Sequence, residues 1–394
     1  MTTRVLTNIG ELLTNDPSLG DESRVGRILD AALVIDDEVV LWAGRAVDAP
    51  DADECYDVHG AAVVPGFVDS HTHLVFAGER SAEFEARMAG RPYGAGGIAR
   101  TVEATRDASS DVLREESAAR LGALRAGGVT TVEVKSGYAL DVEGEARLIA
   151  LASELTDEVT FLGAHIVPPE YRADRAGYVE LVAGEMLQRC AGAKWTDVFC
   201  DQGAFDVDEA RTVLAAARAL GQGLRLHASQ LADVGAISLA LEMDCASVDH
   251  CTFLSDEDVE GLANSATVAT LLPGAEFSTR SPYPSGRRLL DAGVTVALAT
   301  DCNPGTSYVT SMSFVIALAV REMGMSVDEA LWAATRGGAA ALRRRDVGHL
   351  SVDARADVVI LDAPRAAHLA YRPGSALVRE VWRSARGRRL PPGQ

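Results

Sequence analysis

The sequence predicts an α/β protein: a (β/α)8 TIM barrel with a small β-sandwich domain formed from both chain termini. Two observations predict it. Between residue 63 and about residue 300, eight short apolar runs alternate with amphipathic or alanine-rich stretches, which is the pattern of a parallel sheet closed inside a ring of helices. On both sides of that region the alternation stops, and the chain reads as short strands separated by acidic turns. A length of 394 residues accommodates one barrel of about 250 residues plus a smaller unit.

Residues 1–62 alternate apolar and polar side chains, as in AALVIDDEVVLWAG, with turns at Asp36-Asp37 and Asp51-Ala52-Asp53. Gly348 to Asp362 (GHLSVDARADVVILD) has the same texture. The expected division is therefore a composite β domain of 1–62 and 348–394 flanking a barrel of 63–347. The first barrel run, VVPGFVDSHTHLVFAG from Val63 to Gly78, reads as one strand entered through the Pro65-Gly66 turn. Period-two geometry then points His71 and His73 the same way. The segment Ala77–Arg100, with PYGAGGI near its end, reads as a mobile loop over a site rather than a regular element. Thr101–Arg125 has helical spacing and is closed by Gly127-Gly128. The remaining strands are VTTVEV from Val129, VTFLGA from Val159, WTDVFC from Trp195, LRLHA from Leu224, ASVDH from Ala246, TVATLL from Thr267 and VTVALAT from Val294.

Hydrophobic content of 47% and charged content of 24% are those of an ordinary globular protein. The formal net charge of -20 argues against nucleic acid or an anionic membrane surface as a partner. An anionic small molecule would need a local arginine. The six cysteines lack CxxC spacing, MTTRVLTNIG carries no signal-like apolar region, and no apolar span reaches membrane length, so the expected setting is cytoplasmic.

Barrel chemistry gathers where the strands finish. The polar residues there are His71 and His73, Lys135, His165, Asp201, His227, His250 and Asp301, in strand order with strand seven contributing none. Five of the eight histidines fall at these ends, more than scatter explains; His59, His349 and His368 in the β unit have no such company. A lone HTH is often a pair of backbone-bonded strand-end imidazoles. Joined by His227 and Asp301, it makes a set that can hold one divalent metal, zinc or iron, with an open position where water is polarised. His165 and His250 remain for substrate or water, although either alone reads equally well as a core histidine. Asp301 could merely cap Asn303-Pro304-Gly305; a role as ligand and proton acceptor fits its place better. Lys135 could be carbamylated to bridge a second metal, but a salt bridge to Glu133 or Asp201 is preferred because the four ligands already complete a one-metal set.

PGFVDSHTH, the His227 strand end and ATDCNPG resemble the amidohydrolase superfamily, and EVKSGY at 133, TFLGAHIVPPEY at 160 and LPGA at 272 narrow the resemblance to imidazolonepropionases. The resemblance covers nearly the whole chain. It implies hydrolysis of the ring amide of 4-imidazolone-5-propanoate to N-formimidoyl-L-glutamate, and a homodimer. It also implies that His71, His73, His227 and Asp301 bind the metal, that His250 orients the attacking water, and that His165 holds the ring carbonyl region. Arg80 would grip the carboxylate tail, with Tyr93 closing over it, while Tyr138, Asn303, Gly305 and Thr306 contact substrate. For Arg80 the competing assignment is a surface salt bridge with Glu79 or Glu83, and for Tyr93 an ordinary loop aromatic.

Related deaminases place a glutamate three residues after the strand-five histidine; here it is Gln230. An amide can hydrogen-bond a ring nitrogen but cannot shuttle a proton. The alternatives are another mononuclear amidohydrolase acting on a different carboxylate-bearing cyclic amide, or a nucleobase-type deaminase, which Gln230 disfavours. A non-catalytic scaffold would have lost a ligand. Ala139, EFSTR at 276 and Glu83–Gly90 depart from the family pattern and bear on substrate fit.

Overall fold

The computed structural model describes residues 2–90 and 97–384. Fifteen strands among them divide between two sheets. The N-terminal five are β1 (Arg4–Leu13), β2 (Arg27–Ile35), β3 (Val40–Arg45), β4 (Glu54–Asp57) and β5 (Ala62–Pro65). The barrel strands are β6 (Phe67–Asp69), β7 (Val129–Lys135), β8 (Glu158–Ala164), β9 (Trp195–Cys200), β10 (Gly223–Ala228), β11 (Ser247–His250), β12 (Val268–Leu271) and β13 (Val296–Leu298). Two more, β14 (Val358–Leu361) and β15 (Val378–Trp382), follow near the C-terminus.

Strands β1–β5, β14 and β15 form one seven-stranded sheet in the order β15-β14-β5-β1-β2-β3, with β4 beside β1. Its register breaks between Leu6 and Ile9, where Asn8 takes a φ of 53°. The first half of β1 therefore pairs with β4 and the second half with β5, as a bulge permits by bending the strand. Leu6, Leu12, Leu33, Val63 and Ile360 pack into the core of this sheet, so the two ends of the chain meet around one apolar cluster.

The run from Val63 is not one strand. Pro65 ends β5 in the terminal sheet, and β6 begins at Phe67 in the barrel. Gly66 N–H donates to Asp357 O at 2.9 Å, and the next N–H, that of Phe67, donates to Gly128 O at 3.0 Å. Consecutive residues thus bond to different sheets. A Cβ at Gly66 would lie 2.2 Å from Thr130 Oγ1, so only glycine lets the chain cross there. The described residues of Ala77–Arg100 hold a helix at Ser81–Met88 and the start of another at Gly97, where a loop was expected; residues 91–96, most of the PYGAGGI stretch, lie outside them. The expected single helix over Thr101–Arg125 is two, Gly97–Asp107 and Ser110–Ala126, divided where Ser109 accepts from Val112 N–H as an N-cap.

The eight barrel strands pair in parallel in sequence order from β6 to β13. The seam between the first and last is closed just beyond their ends. Thr72 bridges Cys302, His73 N–H donates to Cys302 O and Asp301 N–H to His71 O, both at 3.0 Å. Asp69 reinforces it by accepting from Thr300 N–H at 3.0 Å and Thr300 Oγ1 at 2.6 Å. Burial pushes this carboxyl up to about 7. The seam is functionally placed, because His71, His73 and Asp301 all sit on it. No helix among the described residues is long and apolar enough to cross a membrane.

Candidate metal centre

His71 and His73 lie just past β6, and the bridge at Thr72 preserves the alternation that turns both imidazoles inward. Their Nε2 atoms are 3.3 Å apart, and Asp301 Oδ1 lies 3.6 Å from the first and 3.5 Å from the second. The side chains of His71, His227 and His250 likewise bring ring nitrogens within 4.8 Å of one another. The four expected ligands thus fall into two overlapping donor groups that share His71, and His250 approaches as closely as a ligand would. Burial pushes both His71 and His73 well below the usual histidine range, so both offer lone pairs. Burial pushes Asp301 in the opposite direction, well above the carboxylate range. Lone pairs converging in a buried space repel one another unless a cation lies among them. The residues fit a metal ion.

Beneath these donors lies a layer of fully buried charge that the strand-end reading missed. Asp249 Oδ2 lies 2.7 Å from His71 Nδ1 and 3.2 Å from Arg225 Nη2. Arg225 also donates to Ser70 O at 2.7 Å and Ala341 O at 3.0 Å. Asp197 Oδ2 lies 3.0 Å from His227 Nδ1 and 2.9 Å from Lys135 Nζ, which is also 2.9 Å from Glu133 Oε1. Asp249 thus fixes the tautomer of His71 and aims its Nε2 at the centre, while Asp197 stands behind His227 as a charge neighbour. Burial alone would raise Asp197 and Asp249, but His227 and Lys135 hold the first down, and Arg225 and His71 hold the second down. Burial would likewise lower Lys135, and Asp197 and Glu133 override it.

The expected partner of Lys135 was Glu133 or Asp201; Glu133 is found, and the second carboxylate is Asp197. The reason is position along the strand. Asp197 lies inside β9 and points to the barrel axis, whereas Asp201 lies past its end and accepts from the N–H groups of Gln230, Leu231 and Ala232 at 2.7–3.1 Å. A signal for the missed layer was present: Glu133 and Arg225 stand two residues before Lys135 and His227, on the same strand face.

Above the donors, His73, His227, His250 and Asp301 form the floor of a cleft. Arg80, Tyr138, His165, Gln230, Asn303, Gly305 and Thr306 line its walls, joined by Ile98, Phe199 and Leu231, which the sequence did not single out. His71 is buried below it, and Tyr93 lies outside the described residues. Arg80 pairs with Glu83 at 2.7 and 3.2 Å, but in a buried position and not at the surface, and its side chain lines the cleft. A Cβ at Gly305 would fall 2.3 Å from Arg80 Nη1, so a side chain there would displace the arginine. Arg87, in the atypical segment, donates to Gly305 O at 2.6 Å from behind.

His165 Nδ1 lies 2.9 Å from Gly137 O. Burial and nearby His227 push its pKa down to about 4, so the ring is neutral, Nδ1 donates and Nε2 is left as an acceptor. Burial and His227 push His250 down to about 3. Asn303 organises its own turn: Oδ1 accepts from Gly305 and Thr306 N–H, both at 2.8 Å, and Nδ2 donates to Asp301 O at 2.7 Å and Thr306 Oγ1 at 2.9 Å. Asn303, and not Asp301, thus caps this turn.

The amidohydrolase family is matched over residues 91–386. The chain is 59% identical to an imidazolonepropionase of Streptomyces griseus, over 98% of this chain and 99% of the relative. It is 58% identical to one of Mycolicibacterium smegmatis, over 98% and 97%. Among solved structures, a mutant atrazine chlorohydrolase of Arthrobacter aurescens complexed with zinc and atraton superposes with a TM-score of 0.73 at 20% identity, covering 96% of this chain and 93% of that one. An adenosine deaminase of Xanthomonas campestris with bound zinc gives 0.71 at 18%, covering 97% and 91%. These two carry the fold alone. With its buried histidine–aspartate metal centre and its full-length identity to curated relatives, the chain belongs to the amidohydrolase family and, within it, to the imidazolonepropionases.

Proposed function

We infer that this chain hydrolyses the ring amide of 4-imidazolone-5-propanoate, yielding N-formimidoyl-L-glutamate in histidine degradation. The observation that carries the reading is one cleft holding a metal-ligand set on its floor and a buried arginine on its wall. His71, His73, His227 and Asp301 would hold one divalent cation, zinc or iron. When bound, such an ion supplies Lewis acidity that lowers the pKa of a water towards neutrality.

The protein's own groups do the rest. Asp301, which a bound cation would hold as the carboxylate against the effect of burial, accepts the proton that the attacking water loses and returns it to the ring nitrogen as the carbon–nitrogen bond breaks, while the water oxygen stays on the carbonyl carbon. His250 orients that water. His165 was expected at the ring carbonyl; with Nε2 an acceptor, it is better suited to receive a ring N–H. Arg80 receives the propanoate by a charge-assisted bond of about 1.5–3 kcal/mol, with Tyr138, Gly305 and Thr306 completing the wall. Asn303 keeps that wall in shape. Gln230 contributes an amide to the ring and cannot shuttle a proton, which weighs against a deaminase.

The test is to supply imidazolonepropionate to the purified protein, with and without added zinc or ferrous iron, and follow the loss of ring ultraviolet absorption. Metal-dependent ring opening supports the reading; none with either metal rejects it. Arg80→Ala should chiefly raise KM, by about 10-fold or more, because the tail is held alike before and during reaction. A loss confined to kcat would contradict that role. We further place the enzyme in the cytoplasm as a homodimer, in keeping with six free thiols and with the family resemblance. We also divide it into a composite unit of 1–62 and 348–394 and a barrel of 63–347, a division supported by the sheet change at Gly66.

A further inference from the structure

His250 ends β11 in an awkward conformation: its φ is 87°, and that of Cys251 is 58°. Two consecutive non-glycine residues in the left-handed region form a strained turn, which persists only where its surroundings over-determine it. On one side the restraints come from the end of β10. Cys251 N–H donates to Ala228 O at 3.2 Å and Phe253 N–H to Ser229 O at 2.9 Å. On the other side stands the short helix Pro273–Thr279, and Thr252 Oγ1 links the turn to it by donating to Glu276 Oε1 at 3.0 Å. Glu276 is 2% exposed, and its other oxygen has no hydrogen-bond partner among the described residues. The same helix rests on the Asp301 turn, where a Cβ on Gly274 would lie 2.4 Å from Ser307 Oγ.

We propose that Glu276 is a positioning residue for His250: through Thr252 it clamps the strained 250–252 turn and so aims the imidazole at the water above the metal-ligand floor. The proposal rests on the assignment of His250 given above. Glu276 is absent from the cleft lining, so it acts through the turn and not on substrate. A buried carboxyl with one bonded and one unpaired oxygen is costly if charged. Burial pushes its pKa up to about 8, so it serves as a neutral hydrogen-bonding group. An amide can replace such a group; a hydrocarbon cannot.

The experiment compares Glu276→Leu, Glu276→Gln, Thr252→Val, the Glu276→Leu/Thr252→Val pair and His250→Ala in the full-length, metal-loaded protein. Losing the clamp is expected to lower kcat about 10-fold or more with KM within about twofold, equally in Glu276→Leu and Thr252→Val, and the double variant should be no worse than either. Glu276→Gln should stay within about threefold of the parent. The proposal is overturned if Thr252→Val leaves kcat unchanged, if the two single losses multiply, or if Glu276→Gln is as impaired as Glu276→Leu. Should Glu276→Leu fail to fold, Thr252→Val and Glu276→Gln decide the matter. An active His250→Ala variant would instead remove the role of His250 itself, whereas an inactive one beside an unaffected Thr252→Val would remove only the clamp.

Discussion

Asp301→Ala should lose about 10²- to 10⁴-fold in kcat, the range expected when a general base that is also a ligand is removed. The folded protein should not suffer for it. Burial pushes the Asp301 carboxyl well above its usual range, so the charged form is disfavoured by folding, and deleting it relieves that cost in the metal-free state. Steady-state turnover paired with thermal denaturation in chelator checks both halves. A variant that retained substantial turnover would take this aspartate out of the mechanism. One that lost activity by unfolding would give it a structural role instead.

Lys135→Met should have the largest effect on stability, about 3–5 kcal/mol, because it strips the cation from two carboxylates with no access to water. Glu133, Lys135 and Asp197 are all 0% exposed, so solvent cannot take over. Adding Glu133→Gln and Asp197→Asn to Lys135→Met should restore part of the loss, since the unpaired charges are then gone. Urea denaturation of the single and combined variants measures this. No loss in Lys135→Met would mean that the layer under the metal floor is not held by this ion pair. The same geometry disfavours a carbamate at Lys135, whose negative charge would face two carboxylates at about the distance now taken by the ammonium.

The sequence made the metal floor legible because barrel topology is sequential: each strand end is known once the strand is, and histidines are scarce enough to stand out there. His71, His73, His227 and Asp301 could therefore be named as candidate ligands without any distance. The wall was legible for a different reason, since Arg80, Tyr138 and Gly305 sit in stretches that resemble known relatives. Mid-strand charge was harder to read. Asp197 and Asp249 look like interruptions in apolar runs, and only three-dimensional pairing shows that each stands behind one metal-facing imidazole. Glu276 was visible only as a departure from the family pattern.

What the sequence determined by itself was the order of the barrel strands, the presence of a terminal β unit and the gathering of histidines at the strand ends, because alternation and side-chain period are local properties of the chain. What the tertiary structure decided was where Val63–Gly78 changes sheets, which carboxylate answers Lys135 and how the His250 turn is held. Those depend on residues up to hundreds of positions apart arriving within hydrogen-bonding distance, and the energy that selects among them is pairwise and buried, with no periodic trace along the chain.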